Sequence, residues 1–431
     1  MKFWITMCNK KLFITTIGLI MLITFSSKAQ TRISSPYSRY GLGDLHNNSY
    51  IRNISMGGIS FGFRDSTSIN FANPASYTEF DTTSFVFETG VNSQFSQLSS
   101  NNLRQGSNYT SLSHLTMGFP VNKWWGASIG LLPFSSVGYK ISDYESIQNV
   151  GKVNYLYEGS GGLNQFYVGN AFRIKDLSVG FNAAYVFGTL DKLRTVSFPD
   201  SVNVFAIRLK NSTRVNNFLF TYGIQYQKKL ENGLKIGIGL TGNLSTRLSA
   251  LQDSLAYRFF TAGTGYETIK DTIINTANTK GSIVLPMAIG GGITIGKADR
   301  WLVGVDYQTQ NWKNFSAFGE QDSLKNSWMA SIGAEFTPKH SSVSGYWKRV
   351  HYRIGGRYDQ TYLQLRNNQL SEYAVSFGFG LPLKRSLTTI NLGVELGQRG
   401  TTENNLIKEQ FGRVILSFSI YEFWFFKKKI D

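Results

Sequence analysis

Apolar residues recur at every second position along much of this chain. Near its C-terminal end Val414, Leu416, Phe418 and Ile420 alternate with Arg413, Ile415, Ser417 and Ser419. Upstream, Ile390, Leu392, Val394 and Leu396 alternate with Asn391, Gly393 and Glu395, and Val375, Phe377, Phe379 and Leu381 alternate with Ser376, Gly378 and Gly380. A period of two belongs to β-strands, whose side chains point to opposite faces in turn. Beyond residue 29 no run approaches the roughly 18 consecutive apolar residues of a membrane helix. If the chain crosses a membrane, it must therefore do so as a closed barrel with the apolar set facing lipid. A soluble β-sandwich would also alternate, but its polar face would not need Gly and Ser so consistently.

The same rule predicts strands near 84–95, 110–120, 124–133, 164–174, 177–190, 216–229 and 233–245, and then near 282–296, 300–312, 327–337, 350–359, 372–381, 388–397 and 410–422. The expected fold is an all-β, transmembrane antiparallel barrel of about 14 strands. Its connections alternate in length. Pro120 to Lys123, Lys175-Asp176, Leu230 to Asn232, Lys297 to Arg300 and Pro382 to Leu387 are short, whereas 134–163, 191–215 and 246–281 read as long polar loops. Pro338 to Arg349 is longer than the rule expects. Outer-membrane barrels keep short turns periplasmic and long loops outside, and an even strand count returns both termini to the periplasm. Trp124, Trp125, Trp301, Trp347 and Trp424 then mark the inner interface, and Trp312 and Trp328 the outer one.

The N-terminus supports that compartment. Lys2, Lys10 and Lys11 precede an apolar run from Leu12 to Phe25, and Ser27-Lys28-Ala29 supplies small residues at a cleavage site after Ala29. Residues 1–29 are thus expected to be a signal peptide of a Gram-negative bacterium. Cys8 lies before the apolar run, so the mature chain carries no cysteine, which removes disulfides, thiolate nucleophiles and Cys-ligated metals. Removing the leader's four lysines leaves 40 basic against 27 acidic residues, about +13. Apart from Lys427-Lys428-Lys429 the bases are scattered, which argues against a nucleic-acid groove. They suit the phosphates of outer-membrane lipid, lipopolysaccharide included, or equally a solvated basic surface.

Little in the sequence points to catalysis. His46, His114, His340 and His351 lack metal-ligand spacing, and no nucleophile elbow, P-loop or carboxylate pair is present. No enzyme activity, cofactor or metal is expected. Gly237-Ile238-Gly239-Leu240-Thr241-Gly242 matches a dinucleotide fingerprint by letter, but it lies in a strand, opens no helix, and reads as small lumen-facing residues.

Residues 30–83 differ from the barrel that follows at 84–431. Residues 31–83 lack sustained alternation, carry Gly41, Gly43, Gly57, Gly58 and Gly62, and contain Asn73-Pro74-Ala75, as expected of a segment that folds back to fill a wide lumen. Here Ser38-Arg39-Tyr40-Gly41-Leu42-Gly43, Met56-Gly57-Gly58 and Ile69-Asn70-Phe71-Ala72-Asn73-Pro74-Ala75 resemble the hatch of the long-chain fatty acid outer-membrane transporter family, FadL. Trp301 to Tyr307, Asn311 to Phe315, and Leu285-Pro286 also fit that family, and the tail Phe423 to Asp431 looks like a Bacteroidetes branch. The resemblance implies passive uptake of hydrophobic molecules, with a hatch built on Gly57, Gly58, Asn73, Pro74 and Ala75. It also implies a sideways exit near the third strand. Gly126, Gly130 and Pro133 in that strand weaken pairing as such a gate needs, although Pro133 could simply end the strand.

Phe134, Val137, Tyr139, Leu156 and Tyr157 are candidates for ligand capture or for plain loop packing. Asp306, Glu335, Arg353, Arg357, Glu395 and Arg413 share the lumen phase of successive strands. They could pair with one another, or Arg353 and Arg357 could hold a carboxylate headgroup. The expected partner is a hydrophobic small molecule or lipid, taken up by a monomer. The rivals are an accessory of a secretion system, as in Bacteroidetes relatives that shuttle proteins, and a structural or adhesive barrel.

Overall fold

The alternating segments pair into one antiparallel ladder that closes on itself. The computed structural model describes residues 35–46, 49–101, 103–200, 204–261, 266–297, 300–339, 345–384 and 386–423. The leader, His340, Trp424 and the triple lysine therefore lie outside the described residues. The wall has fourteen crossings. They are β1 (Ser84–Ser99), β2 (Arg104–Asn122), β3 (Trp125–Ile147), β4 (Gly151–Ile174), β5 (Leu177–Ser197) and β6 (Ala206–Lys229). Then come β7 (Leu234–Asn243, continued by Thr246–Thr261) and β8 (Glu267–Leu285, continued by Ala288–Lys297). The last six are β9 (Trp301–Gln310), β10 (Ser327–Phe336), β11 (His351–Leu365), β12 (Asn368–Pro382), β13 (Thr389–Arg399) and β14 (Lys408–Phe423). β14 pairs with β1 from Ser84↔Phe423 to Ser99↔Lys408, which closes the barrel.

The outward phase carries the apolar set. Val375, Phe377, Phe379, Val414, Leu416, Phe418, Ile293 and Ile332 are all exposed, whereas their inward neighbours Ser376, Ser417 and Thr294 are buried. A belt of exposed aliphatic and aromatic side chains around a closed ladder is what a bilayer solvates. Among the described residues no helix is long and apolar enough to cross a membrane.

The three long loops are not loops. β3 and β4 form one hairpin with its turn at 148–150, and 191–215 and 246–281 are likewise mostly ladder. Above the lipid belt neither face meets hydrocarbon, so the alternation that marks the membrane portion lapses although the backbone stays extended. Strands β3 to β8 consequently rise beyond β9 to β14 as a one-sided crown. The breaks in β7 at Leu244-Ser245 and in β8 at Pro286-Met287 fall where the wall passes into the crown, and Pro286 has no N–H to give the ladder. Trp312 also departs from the girdle expectation. It is 1% exposed, stacked on Tyr362 with ring centroids 4.3 Å apart, and belongs to the internal apolar cluster.

Candidate functional site

The described residues between 35 and 83 touch strands on all sides of the closed ladder, and only a segment inside the barrel can do that. Little of it is regular: short 3-10 turns at Pro36–Arg39 and Pro74–Glu79, a helical turn at Ile51–Ile54 and a two-residue strand Asp44–Leu45. Its backbone groups are satisfied partly by its own turns, as at Ile54, Ser55 and Met56, and partly by the wall. Asp306 of β9 accepts from the N–H groups of Ser60 (2.6 Å) and Phe61 (2.8 Å). Gln225 of β6 donates to Phe61 O (2.7 Å), Thr241 of β7 to Ala72 O (2.9 Å) and Thr294 of β8 to Gly62 O (2.9 Å). Asn73 works in both directions. Its Oδ1 caps the Pro74–Glu79 turn at Ala75 N–H (3.2 Å), while its Nδ2 donates to Phe61 O (2.9 Å) and Leu240 O (3.2 Å). Pro74 occupies the first position of that turn, where its missing N–H costs nothing. Gly57 and Gly58 both have positive φ, and Gly57 N–H donates to Ser376 Oγ (2.9 Å) on β12.

Close approach of the internal segment explains several of the strand glycines. A Cβ on Gly239 would lie 1.8 Å from Phe61 O, and one on Gly126 2.0 Å from Tyr77 O. Gly237 and Gly239 of the fingerprint-like run thus let the internal segment lie against the wall.

Two halves of the wall hold the segment by different chemistry. On the β10–β14 side the contacts are ionic. Arg52 pairs with Glu335 (2.8 Å) and Asp65 (2.9 Å), and Glu335 also binds Arg353 (2.6 Å). Asp44 pairs with Arg399 (2.8 Å), and Ser35 donates to Glu409 (2.7 Å). On the β4–β8 side the partners are mostly neutral, including Tyr77 to Asn182 (3.0 Å) and Thr78 with Ser178 (2.8 Å). Charge enters there through Glu79, which lies 3.6 Å from Arg173 of β4 and 3.9 Å from Lys235 of β7, and through Arg64, which gives its Nε to Gln225 (2.7 Å) and whose pKa burial lowers to about 10 despite the nearby Glu79.

Arg353 and Arg357 are both occupied. Arg353 binds Glu335 and Asn391 (2.7 Å), and Arg357 pairs with Glu372 and with Glu395 (3.1 Å), which also takes Arg413 (2.9 Å). Glu372 and Asn391 were not singled out in the sequence, although both sit on the lumen phase of their strands.

Between β2 and β3 the ladder is incomplete. β2 and β3 pair from Leu115↔Leu131 down to Asn122↔Trp125 and no farther, although both strands continue. Beyond Leu131 the chain's own Asp44 and Leu45 pair with Ser136 and Ser135 of β3, and His46 N–H donates to Phe134 O (3.0 Å). Beside this gap lies a cavity of about 320 Å³ whose lining includes Tyr50, Phe71, Asn92, Leu112, Leu132 and Phe134. Gly126 and Gly130 lie in the paired part. The missing side chain of Gly130 points at Thr116 and Tyr167, not into the gap. Pro133 stands within β3, not at its end, and the register with β4 shifts between Pro133 and Ser135. Phe134 and Tyr139 pack on the internal apolar cluster. Ser35, the first described residue, donates its N–H to Gly138 O (3.1 Å) at the crown end. The described chain thus starts opposite the short turns, whereas Phe423 ends among them.

A family model described as BamG matches residues 8–431. No curated protein matches the sequence. Among solved structures, the chain is similar to the Pseudomonas putida toluene transporter TodX, with 16% identity over 89% of this chain and 99% of that one at a TM-score of 0.59. It is also similar to the Ralstonia pickettii toluene transporter TbuX (12%, 87% and 98%, 0.56) and to a Pseudomonas aeruginosa FadL homologue (10%, 89% and 100%, 0.57). At these identities the likeness is one of fold.

Proposed function

The chain belongs to the BamG family, and we propose that it is an outer-membrane barrel for passive uptake of uncharged hydrophobic small molecules, with residues 30–83 as its plug and the β2–β3 gap as the way out. The observation that carries this reading is the height at which the ladder stops. Leu112 and Leu115 of β2 and Ile129 of β3 are exposed on the lipid belt, so the gap begins beside hydrocarbon and leads from the cavity into it. An apolar molecule leaving there never enters water. Two of the barrels that share the fold are toluene transporters. Charge selects against a carboxylate: Arg357, Arg399 and Arg413 border the cavity, but each is already paired with Glu or Asp. A fatty acid headgroup would have to displace a wall carboxylate, so long-chain fatty acids are the poorer cargo.

Uptake of radiolabelled toluene and of a radiolabelled long-chain fatty acid by cells with and without the folded barrel tests this. Toluene uptake that depends on the barrel and exceeds fatty acid uptake is expected. Uptake of neither would leave the second reading, an accessory of a surface assembly, which the exposed one-sided crown favours.

A further inference from the structure

The crown has two open edges, and they are built differently. The β8 edge, Glu267–Leu285, meets Ser316–Ala317 only at Ile283 and Val284, and its register with β7 shifts three times between Ile269 and Thr279. Bulges and charges of this kind blunt an edge against further pairing. The β3 edge is regular: from Ser135 to Ile147 its ladder with β4 has no shift. Its other side already accepts an extended segment, because Asp44 and Leu45 pair there. From Tyr139 to Ile147, about 30 Å of strand, no described residue forms a ladder with that side.

Side chains add a chemical preference. Tyr139, Ile141, Asp143, Glu145 and Ile147 share one face of the strand. On the opposite phase Lys140 is paired with Glu158 (2.8 Å), whereas Asp143 and Glu145 have no ion pair among the described residues. We propose that the β3 edge from Tyr139 to Ile147 docks an extended segment of a partner polypeptide, which adds a strand beside Asp44–Leu45 and places apolar residues opposite Tyr139, Ile141 and Ile147 and basic residues opposite Asp143 and Glu145. Backbone hydrogen bonds supply the affinity and the alternate side chains the selectivity. This docking lies above the lipid belt and is independent of the uptake reading.

The probe is a fluorescent ten-residue peptide with Thr at alternate positions and Ile or Lys between them, titrated onto the purified full-length barrel. Binding is expected to weaken about tenfold in the double variant Asp143→Lys, Glu145→Lys, and to be unchanged by Ile273→Lys on the β8 edge. Ser142→Pro and Asp143→Pro are made as a pair. Neighbouring N–H groups point to opposite sides of a strand, so only one of the two removes a donor from the open edge and leaves the β4 ladder intact. Heat-modifiable migration on gels reports folding for each. In membranes, photo-crosslinkers at Ile141 and Asp143 should then map two residues apart on one partner segment. No peptide binding, equal binding by all variants, or crosslinks only to residues 30–34 or to a second copy of the chain would overturn the proposal.

Discussion

The seam between β14 and β1 and the seam between β2 and β3 start from the same end of the barrel, yet they close to different extents. The first runs through the full length of both strands without a register shift. The second stops at Leu115↔Leu131, partway up two strands that both continue. Hydrocarbon tolerates no unpaired backbone, so the complete seam is the default and the incomplete one requires a substitute. The substitute is the chain's own N-terminal segment, which lends Asp44 and Leu45 to the β3 edge. The segment in the lumen is therefore also part of the wall, and what loosens it should act on the open seam before the closed one.

The largest effect is expected at Glu335. Removing it in Glu335→Ala leaves Arg52 of the internal segment and Arg353 of the wall buried without their shared carboxylate. Loss of one partner from a buried pair costs about 3–5 kcal/mol. The closed-state conductance in planar bilayers should rise and the barrel should melt earlier; a native baseline in the variant would count against an ionic anchor. Asn73→Ala ranks next, at about 1–2 kcal/mol, because it removes a turn cap and two bonds to carbonyl oxygens. Frequent brief openings are expected on the same bilayer trace, with the barrel's melting little changed.

Asp44→Ala should be milder, about 1 kcal/mol, since its pair with Arg399 is partly exposed. Its value is positional. Amide exchange should quicken at Ser135 and Ser136 and stay slow along β14, and equal acceleration at both seams would undo the comparison. The smallest effect is one of pH. Burial raises the pKa of Asp65, but Arg52 and the bonds from Thr67 more than offset this and leave it below the ordinary 3.8. A depressed carboxylate contributes stability above its unfolded pKa and loses it as pH falls through the folded one. The closed baseline should thus hold from neutrality down to the ordinary Asp range and loosen only below it. Loosening already near pH 6 would point to other groups.

The lipid-facing half of the fold was legible because the bilayer enforces alternation there, as at Val375 to Leu381. Every crossing was anticipated near its observed place. The crown was not, because stretches such as Asp143 to Ile147 or Thr268 to Lys280 are exposed on both faces and carry no periodic mark. The internal segment stood out by lacking alternation and by Asn73-Pro74-Ala75. Its contacts were hidden, since Gln225, Asn182 and Thr241 look like any inward polar residue until the segment they bind is in place. Arg353 and Arg357 show the same limit from the other side. Their phase was readable, but that Glu335, Glu372 and Glu395 occupy them depends on cross-strand register, which a single sequence does not display.

The most direct test of the open seam uses a hydrophobic photolabel, a diazirine-bearing alkylbenzene, in native outer-membrane vesicles, with labelled peptides read by mass spectrometry. If apolar molecules pass between β2 and β3, label should appear at Leu112, Leu132 and Pro133 and be displaced by excess toluene, while the lipid-facing Val414 and Leu416 take label that toluene does not compete away. Labelling confined to lipid-facing positions, with Leu132 and Pro133 unmarked, would contradict the account.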